Sequence, residues 1–217
     1  MRITLKCATS LDGRIALANG DSRWITGPDA RKQGHHLRAA HDAVLVGSGT
    51  VMADDPLLTV REVKVERQPV RVVADGRLRL RPDHKLAQST DQGPVWVLSL
   101  AQTRPELHDL GLEVITLPDM TPDQQIRALQ DKGITSLMIE GGGTLVASYL
   151  KAGLITHIEW FRAPIILGGD GRPAFGDLSL SALSEAQVWC RTAMTSLGED
   201  LWERYERLEE GDECLPA

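Results

Sequence analysis

Branched apolar residues fall in short runs along this chain, and most runs are followed by a segment whose apolar positions lie three and four apart. That alternation is the signature of strands feeding helices. "RITLKCAT" (2–9), "DAVLVG" (42–47), "PVRVVAD" (69–75), "PVWVLSL" (94–100), "LEVITLP" (112–118) and "SLMIEGG" (136–142) read as strands. "GPDARKQGHHLRAAH" (27–41) reads as a helix, with Thr26 as a candidate N-cap and Pro28 near its first position. "SGTVMADD" reads as a short helix. Further helices are expected from Thr121 to Lys132, stopped by Gly133, and over 143–153. In the last third, "THIEWFRAPIIL", "EAQVWCRTAM" and "EDLWERYERL" look like strands with no helices between them. The pattern predicts a mixed, mostly parallel central sheet flanked by helices, with antiparallel C-terminal strands. No repeat or low-complexity linker divides the chain, so 1–217 is expected to form one α/β domain, with 209–217 fraying.

Composition narrows the function classes. A chain of 217 residues with 42% hydrophobic and 25% charged residues is that of an ordinary globular domain. A net charge of −6 without a Lys/Arg cluster argues against nucleic acid as partner. No run approaches the roughly 20 apolar residues needed to span a bilayer, and "MRITLKCATSLDG" does not read as a signal peptide. Cys7, Cys190 and Cys214 are odd in number and far apart, so neither a disulfide framework nor a zinc site is expected; the default is a reduced, cytoplasmic protein.

Two segments, "AVLVGSGTV" and "LMIEGGGTLVASYL", share the layout strand, glycines, helix. Glycine lets an anion approach the unpaired N–H groups of a helix start, although a tight turn would also explain each segment. Finding the layout twice suggests a dinucleotide across the carboxyl ends of the strands; the missing G-x-G-x-x-G excludes the usual Rossmann fingerprint. Glu140 closes the apolar "SLMI" and would point into that crevice. "GSGTVMADDPLLTVR" (47–61) adds paired aspartates, Asp54 and Asp55, and an arginine, Arg61, after an apolar run.

Taken together, "SLDGRIALANGDSRWIT", "LRAAHDAVLVGSGTVMADDPLLTVR", "PVRVVAD", "IEGGGTLVASYLKAGL" and "APIILGG" resemble the reductase domain of riboflavin biosynthesis, the 5-amino-6-(5-phosphoribosylamino)uracil reductases of the dihydrofolate-reductase-like superfamily. The resemblance spans about residues 3–170. It implies NADPH as cofactor and hydride transfer to C1′ of a phosphorylated ribosylaminopyrimidine, converting ribosyl to ribityl. Asp54 and Asp55 would then accept from sugar hydroxyls, although Asp55, directly before Pro56, reads better as a turn-former, and Arg61 with Arg38 would hold the phosphate. By position, Ser22, Arg38, Leu58, Arg61 and Glu140 match substrate contacts of the family. Ala8, Trp24, Thr50 and Asp54 match positions lining the cofactor. The turn from Gly142 through Gly143, Thr144 and Leu145 to Ser148 matches its phosphate loop. Position 76 departs from the family, which commonly has Ser there; this chain has Gly76, and nearby Arg77 is expected to meet the cofactor 2′-phosphate instead. No H-x-E or P-C-x-x-C signature of an accompanying deaminase is present.

Lys6, where the family often carries Lys, is a candidate catalytic group beside Glu140, able to stabilise charge or relay a proton; the alternative is a lysine whose stem packs at the surface. Asp12 of "SLDG" reads as a turn residue. His35, His36 and His41 read as surface or interface residues rather than metal ligands. Trp24 suits either core or a nicotinamide neighbour. The rival functions are a same-fold reductase of a pterin or other heterocycle, which needs no phosphate clamp, and a non-catalytic NADPH-binding module. The family leads us to expect a homodimer.

Overall fold

The computed structural model describes residues 1–208 and Cys214; the tail expected to fray lies outside the described residues apart from that cysteine. The elements are β1 (Arg2–Thr9), β2 (Arg14–Ala16), α1 (Pro28–Ala39), β3 (Ala43–Gly47), α2 (Ser48–Asp54), β4 (Val70–Ala74), β5 (Val95–Ser99), α3 (Pro105–Asp109), β6 (Glu113–Thr116), α4 (Pro122–Asp131), β7 (Ser136–Ile139), α5 (Gly143–Lys151), β8 (His157–Arg162), β9 (Arg172–Pro173), β10 (Trp189–Leu197) and β11 (Asp200–Arg207). Nine strands form one sheet in the order β10-β11-β8-β1-β7-β3-β4-β5-β6, and β2 pairs with β9 apart from it.

The period-2 alternation assigns each strand residue a side. Ile3 and Leu5, Ala43 and Leu45, Val70 and Val72, and Leu137 and Ile139 share a core with Ile126 and Leu129 of α4 and Val146 and Leu150 of α5. On the opposite face, Val44 and Met138 pack with Ala30 and Leu37 of α1. Val46, Val73 and Val97 meet Val51 of α2 and Leu107 of α3. Both faces of the central strands are therefore dry, and each fully buried Leu or Val stabilises by about 1.5–3 kcal/mol relative to exposure.

Three expectations change. β8 runs parallel to β1, with Thr4 opposite His157, so only β11 and β10 are antiparallel additions. Helix α1 is capped by Gly27, not Thr26. Thr26 is buried, and the Gly27 amide donates to Asp200 Oδ2 at 2.6 Å. A carboxylate from the C-terminal hairpin thus satisfies the helix start and complements its dipole. Finally, Cys190 of β10 is disulfide-bonded to Cys214, leaving Cys7 as the free, buried cysteine. The odd count concealed a pair whose Cα atoms are brought within 5.2 Å by the fold. Among the described residues no helix is long and apolar enough to cross a membrane.

Candidate active site

The sheet reverses its order of travel around β1, β7 and β3, and their carboxyl ends open the crevice where α/β sheets bind ligands. Glu140, directly after β7, stands there. Its carboxylate receives Arg38 Nε at 2.6 Å and Arg38 Nη2 at 2.8 Å, a two-point pairing of largely buried groups. Burial pushes the carboxyl up, but Arg38 and then Lys6 outweigh it and hold it at about 2. Glu140 is therefore a fixed anion and an acceptor.

Arg38 is consequently not half of a free phosphate clamp. Its remaining terminal nitrogen, Nη1, donates to the Thr59 carbonyl at 2.9 Å, so one guanidinium ties Glu140 to the segment leading to Arg61. Arg61 itself is exposed, touches only Thr59 Oγ1 through Nη1 at 3.3 Å, and has no ion pair among the described residues. Two arginines facing one carboxylate leave excess positive charge, which suits an anion.

Lys6 projects from β1 on the α1 side. Its Nζ lies 5.6 Å from the Phe161 ring centroid, and its stem passes over Gly34 of α1. Burial lowers its pKa, Glu140 opposes, and Arg38 adds to the lowering. No hydrogen-bond acceptor meets this ammonium among the described residues, which fits a donor awaiting a ligand.

Two of the three histidines depart from the expected surface position. His36 is exposed, but His35 and His41 are buried. His41 bridges the Leu37 carbonyl at 2.7 Å and Thr4 Oγ1 at 2.9 Å. His35 receives the Arg61 amide at Nδ1 at 3.4 Å, and burial with Arg38 and Arg61 beside it lowers its pKa, keeping it neutral as an acceptor. The overlooked signal was the spacing Ala30, Gly34, Leu37, His41, which carries the buried stripe of α1 on past its end to His41.

The paired aspartates divide. The Asp55 carboxylate accepts from the Lys85 amide at 2.8 Å and lies 3.6 Å from Lys85 Nζ. Asp55 also has left-handed backbone, φ 41°, where it closes α2. Its side chain holds a turn and does not face the crevice as a hydroxyl acceptor. Asp54 is exposed at the end of α2, with Arg23 donating to its carbonyl at 3.5 Å. Leu58, φ 57°, buries its side chain in the core, so a ligand could meet only its backbone.

The two glycine turns touch. The Gly47 amide donates to the Gly141 carbonyl at 3.0 Å, and Thr50 Oγ1 lies 3.4 Å from where a Cβ on Gly142 would stand. Neither α2 nor α5 has a side-chain cap, so the first N–H groups of α5, over Gly143, Thr144 and Leu145, are open. A Cβ on Gly49 or Gly141 would meet nothing within 4 Å, so the turns border open space. Ala8 and Ser22 are half-buried on the same side, and Trp24 is 69% exposed with the Arg31 guanidinium 4.4 Å from its ring centroid. Asp12 does more than turn the chain. It accepts from Ser10 Oγ at 2.6 Å and from the Leu167 and Gly168 amides at 3.1 and 2.8 Å, which fixes the "ILGG" loop against β1. Ser10 chiefly holds its carboxyl down at about 2.

At position 76 a Cβ would lie 2.8 Å from Met120 Cγ, so a side chain there would require Met120 to move. Asp75, just before it, turns its carboxylate inward to the Leu80 amide at 2.8 Å and lies 3.7 Å from Arg79 Nε. Arg79, unremarked in the sequence, also reaches Ser48 Oγ at 2.5 Å, at the start of α2. Arg77 is exposed.

The model of the RibD C-terminal domain family matches residues 1–200. The riboflavin biosynthesis protein RibD of Aquifex aeolicus is 38% identical over 201 residues, covering 92% of this chain and 56% of that protein. A structure from Thermotoga maritima, described as a diaminohydroxyphosphoribosylaminopyrimidine deaminase/5-amino-6-(5-phosphoribosylamino)uracil reductase, superposes with a TM-score of 0.81 at 29% identity, over 95% of this chain and 56% of that one. The dihydrofolate reductase of Enterococcus faecalis, solved with NADP(H), shares the fold alone: TM-score 0.54, 15% identity, 96% and 97% covered. The chain spans about half the length of the curated relatives it matches.

Proposed function

Because this chain belongs to the RibD C-terminal domain family, we propose that it is an NADPH-dependent reductase of 5-amino-6-(5-phosphoribosylamino)uracil, converting the ribosyl group to ribityl. The carrying observation is the Arg61 guanidinium, which has no ion pair among the described residues, beside the buried Arg38–Glu140 pair. A phosphate-free heterocycle would have no use for that excess cation, which ranks the pterin reading second. NADPH oxidation assayed against the ribosylaminopyrimidine phosphate and a dihydropterin separates them. Turnover of the dihydropterin alone would reverse the ranking.

The residues fit a dinucleotide. The uncapped start of α5 and the open space at Gly49 and Gly141 suit its pyrophosphate, with Thr50 between the turns. When bound, NADPH supplies the hydride; the chain supplies position and charge. Glu140 accepts from a sugar hydroxyl, Lys6 holds a proton at Nζ for charge developing on nitrogen, and Arg61 anchors the phosphate. Trp24 offers a flat exposed face.

The cofactor preference follows from Asp75 and Arg77. A carboxylate already engaged by the Leu80 amide is not presented to a ribose 2′-hydroxyl, and exposed Arg77 is free for a 2′-phosphate. NADPH is expected to bind more tightly than NADH in titrations, and Arg77→Ala to narrow the ratio by about tenfold, the effect of one charge-assisted contact. Equal affinities in the wild type would remove the 2′-phosphate pocket; an unchanged ratio in the variant would remove Arg77 from it.

The protein is also expected to act as a homodimer. Among the described residues β10 is the terminal strand of the sheet, with Val188 and Met194 exposed beside it, and such edges favour pairing with a second chain. Sedimentation at micromolar concentration should give the mass of two chains; a clean monomer would contradict this.

A further inference from the structure

Between α2 and β4 the chain passes through Pro56–Arg61 without helix or strand, yet Leu58, Thr59 and Val60 are all buried. Buried backbone needs partners, and with no neighbouring strand they must come from elsewhere. Side chains provide them. Arg71 Nη1 donates to the Leu57 carbonyl at 3.2 Å and Arg38 Nη1 to the Thr59 carbonyl at 2.9 Å. Gln68 takes both groups of Val60: its Oε1 accepts the amide at 2.7 Å and its Nε2 donates to the carbonyl at 2.9 Å. One primary amide thus replaces the peptide of a missing strand.

The Gln68 side chain has room because position 93 is glycine. Gly93 has φ 140°, and a Cβ there would lie 2.9 Å from Gln68 Cβ, closer than side chains tolerate. The Gly93 carbonyl in turn accepts from Arg71 Nη2. Arg71 is wholly buried, has no carboxylate in ion-pair range among the described residues, and also reaches Ser89 Oγ at 2.6 Å and the Ser89 carbonyl at 2.7 Å. Gln68, Gly93 and Arg71 interlock beneath the segment that ends in Arg61.

We propose that Gln68 is a positioning residue, clamping Val60 so that Arg61 is held where it captures a phosphate. The inference rests on the reading of Arg61 as the phosphate anchor. A guanidinium whose backbone is already fixed loses less freedom on binding, and a misplacement of about 1 Å at such a contact can cost on the order of a hundredfold. Gln68 itself touches no ligand.

Three proteins test it: Gln68→Ala, Gln68→Met, which keeps volume but not the two hydrogen bonds, and Arg61→Ala. Amide hydrogen exchange at Val60 reads the clamp, and titrations with ribose 5-phosphate and NADPH read its consequence. Both Gln68 variants are expected to lose protection at Val60 and to bind ribose 5-phosphate about tenfold more weakly, with NADPH affinity within about twofold of wild type. Retained protection, or lost protection with unchanged ribose 5-phosphate binding, overturns the proposal. So does an equal weakening of both ligands, which is what a merely structural role would give. Arg61→Ala binding ribose 5-phosphate like wild type removes the anchor and this inference together. An intact anchor with unaffected Gln68 variants removes this inference alone.

Discussion

Arg61→Ala is expected to raise KM for the phosphorylated substrate by tenfold to a hundredfold while NADPH binding stays near wild type. Arg61 has no ion pair to lose among the described residues, so its removal leaves no buried partner stranded. Its one recorded side-chain contact is the Thr59 hydroxyl, and its amide is held separately by His35. A two-point arginine–phosphate contact in a partly desolvated crevice contributes about 1.5–3 kcal/mol, and each 1.4 kcal/mol is about a factor of ten. Arg61→Lys should recover only part of the loss, because an ammonium keeps the charge without the fork. An exposed arginine serving only the surface would contribute under about 1 kcal/mol. Steady-state kinetics decides: an unchanged KM in Arg61→Ala would leave the phosphate clamp without support.

Glu140→Gln is expected to damage both stability and activity. Arg38 sits beneath Glu140 with three nitrogens engaged, and Lys6 lies close enough to help hold the carboxyl at about 2. A neutral amide would leave two cations facing each other without their anion. Breaking a buried pair from one side typically costs about 3–5 kcal/mol, a large part of a domain's total stability. The pH dependence separates this from a packing defect. Glu140 is depressed from its ordinary 4.5, so the stability it contributes is fully present above about pH 4.5 and is lost as pH falls towards 2. Denaturant unfolding of wild type should weaken over that window, and Glu140→Gln should weaken less steeply. Turnover should fall by at least tenfold even where the variant is fully folded, since the acceptor charge is gone. Parallel pH slopes for the two proteins would mean that Glu140 does not carry the linkage.

The centre of the sheet was legible because its strands are buried on both faces and bounded by glycine, proline or a helix start; β1, β3, β4 and β5 are marked by their branched residues. β2 and β9, of three and two residues, and α3, shorter than two helical turns, have too few positions to show a period. The direction of β8 was in principle readable. It follows β7 and α5, and a strand–helix–strand unit in one sheet is parallel; reading the last third as a block of strands hid that. At the site, sequence pattern singled out Glu140 and Arg61 and the family resemblance added Arg38, but neither gave their pairing. The Arg38–Glu140 contact spans 102 positions, and nothing local says which cation a carboxylate will meet. His35, Gln68 and Arg79 were missed for the same reason, since each acts on a segment that only the fold brings near. Asp55 shows a middle case: its place before Pro56 marked it as a turn-former, but its partner Lys85, 30 residues on, had no local signal.

Hydride delivery to the sugar carbon of a phosphorylated ribosylaminopyrimidine, the reaction proposed for this chain, can be followed by isotope transfer. The protein would be incubated with NADPH carrying deuterium at the transferable C4 position and with 5-amino-6-(5-phosphoribosylamino)uracil, and the product read by mass spectrometry. The account predicts a ribityl product retaining its phosphate and carrying one deuterium at C1′. Unreacted substrate, with deuterium appearing instead in a reduced pterin supplied in parallel, would contradict it.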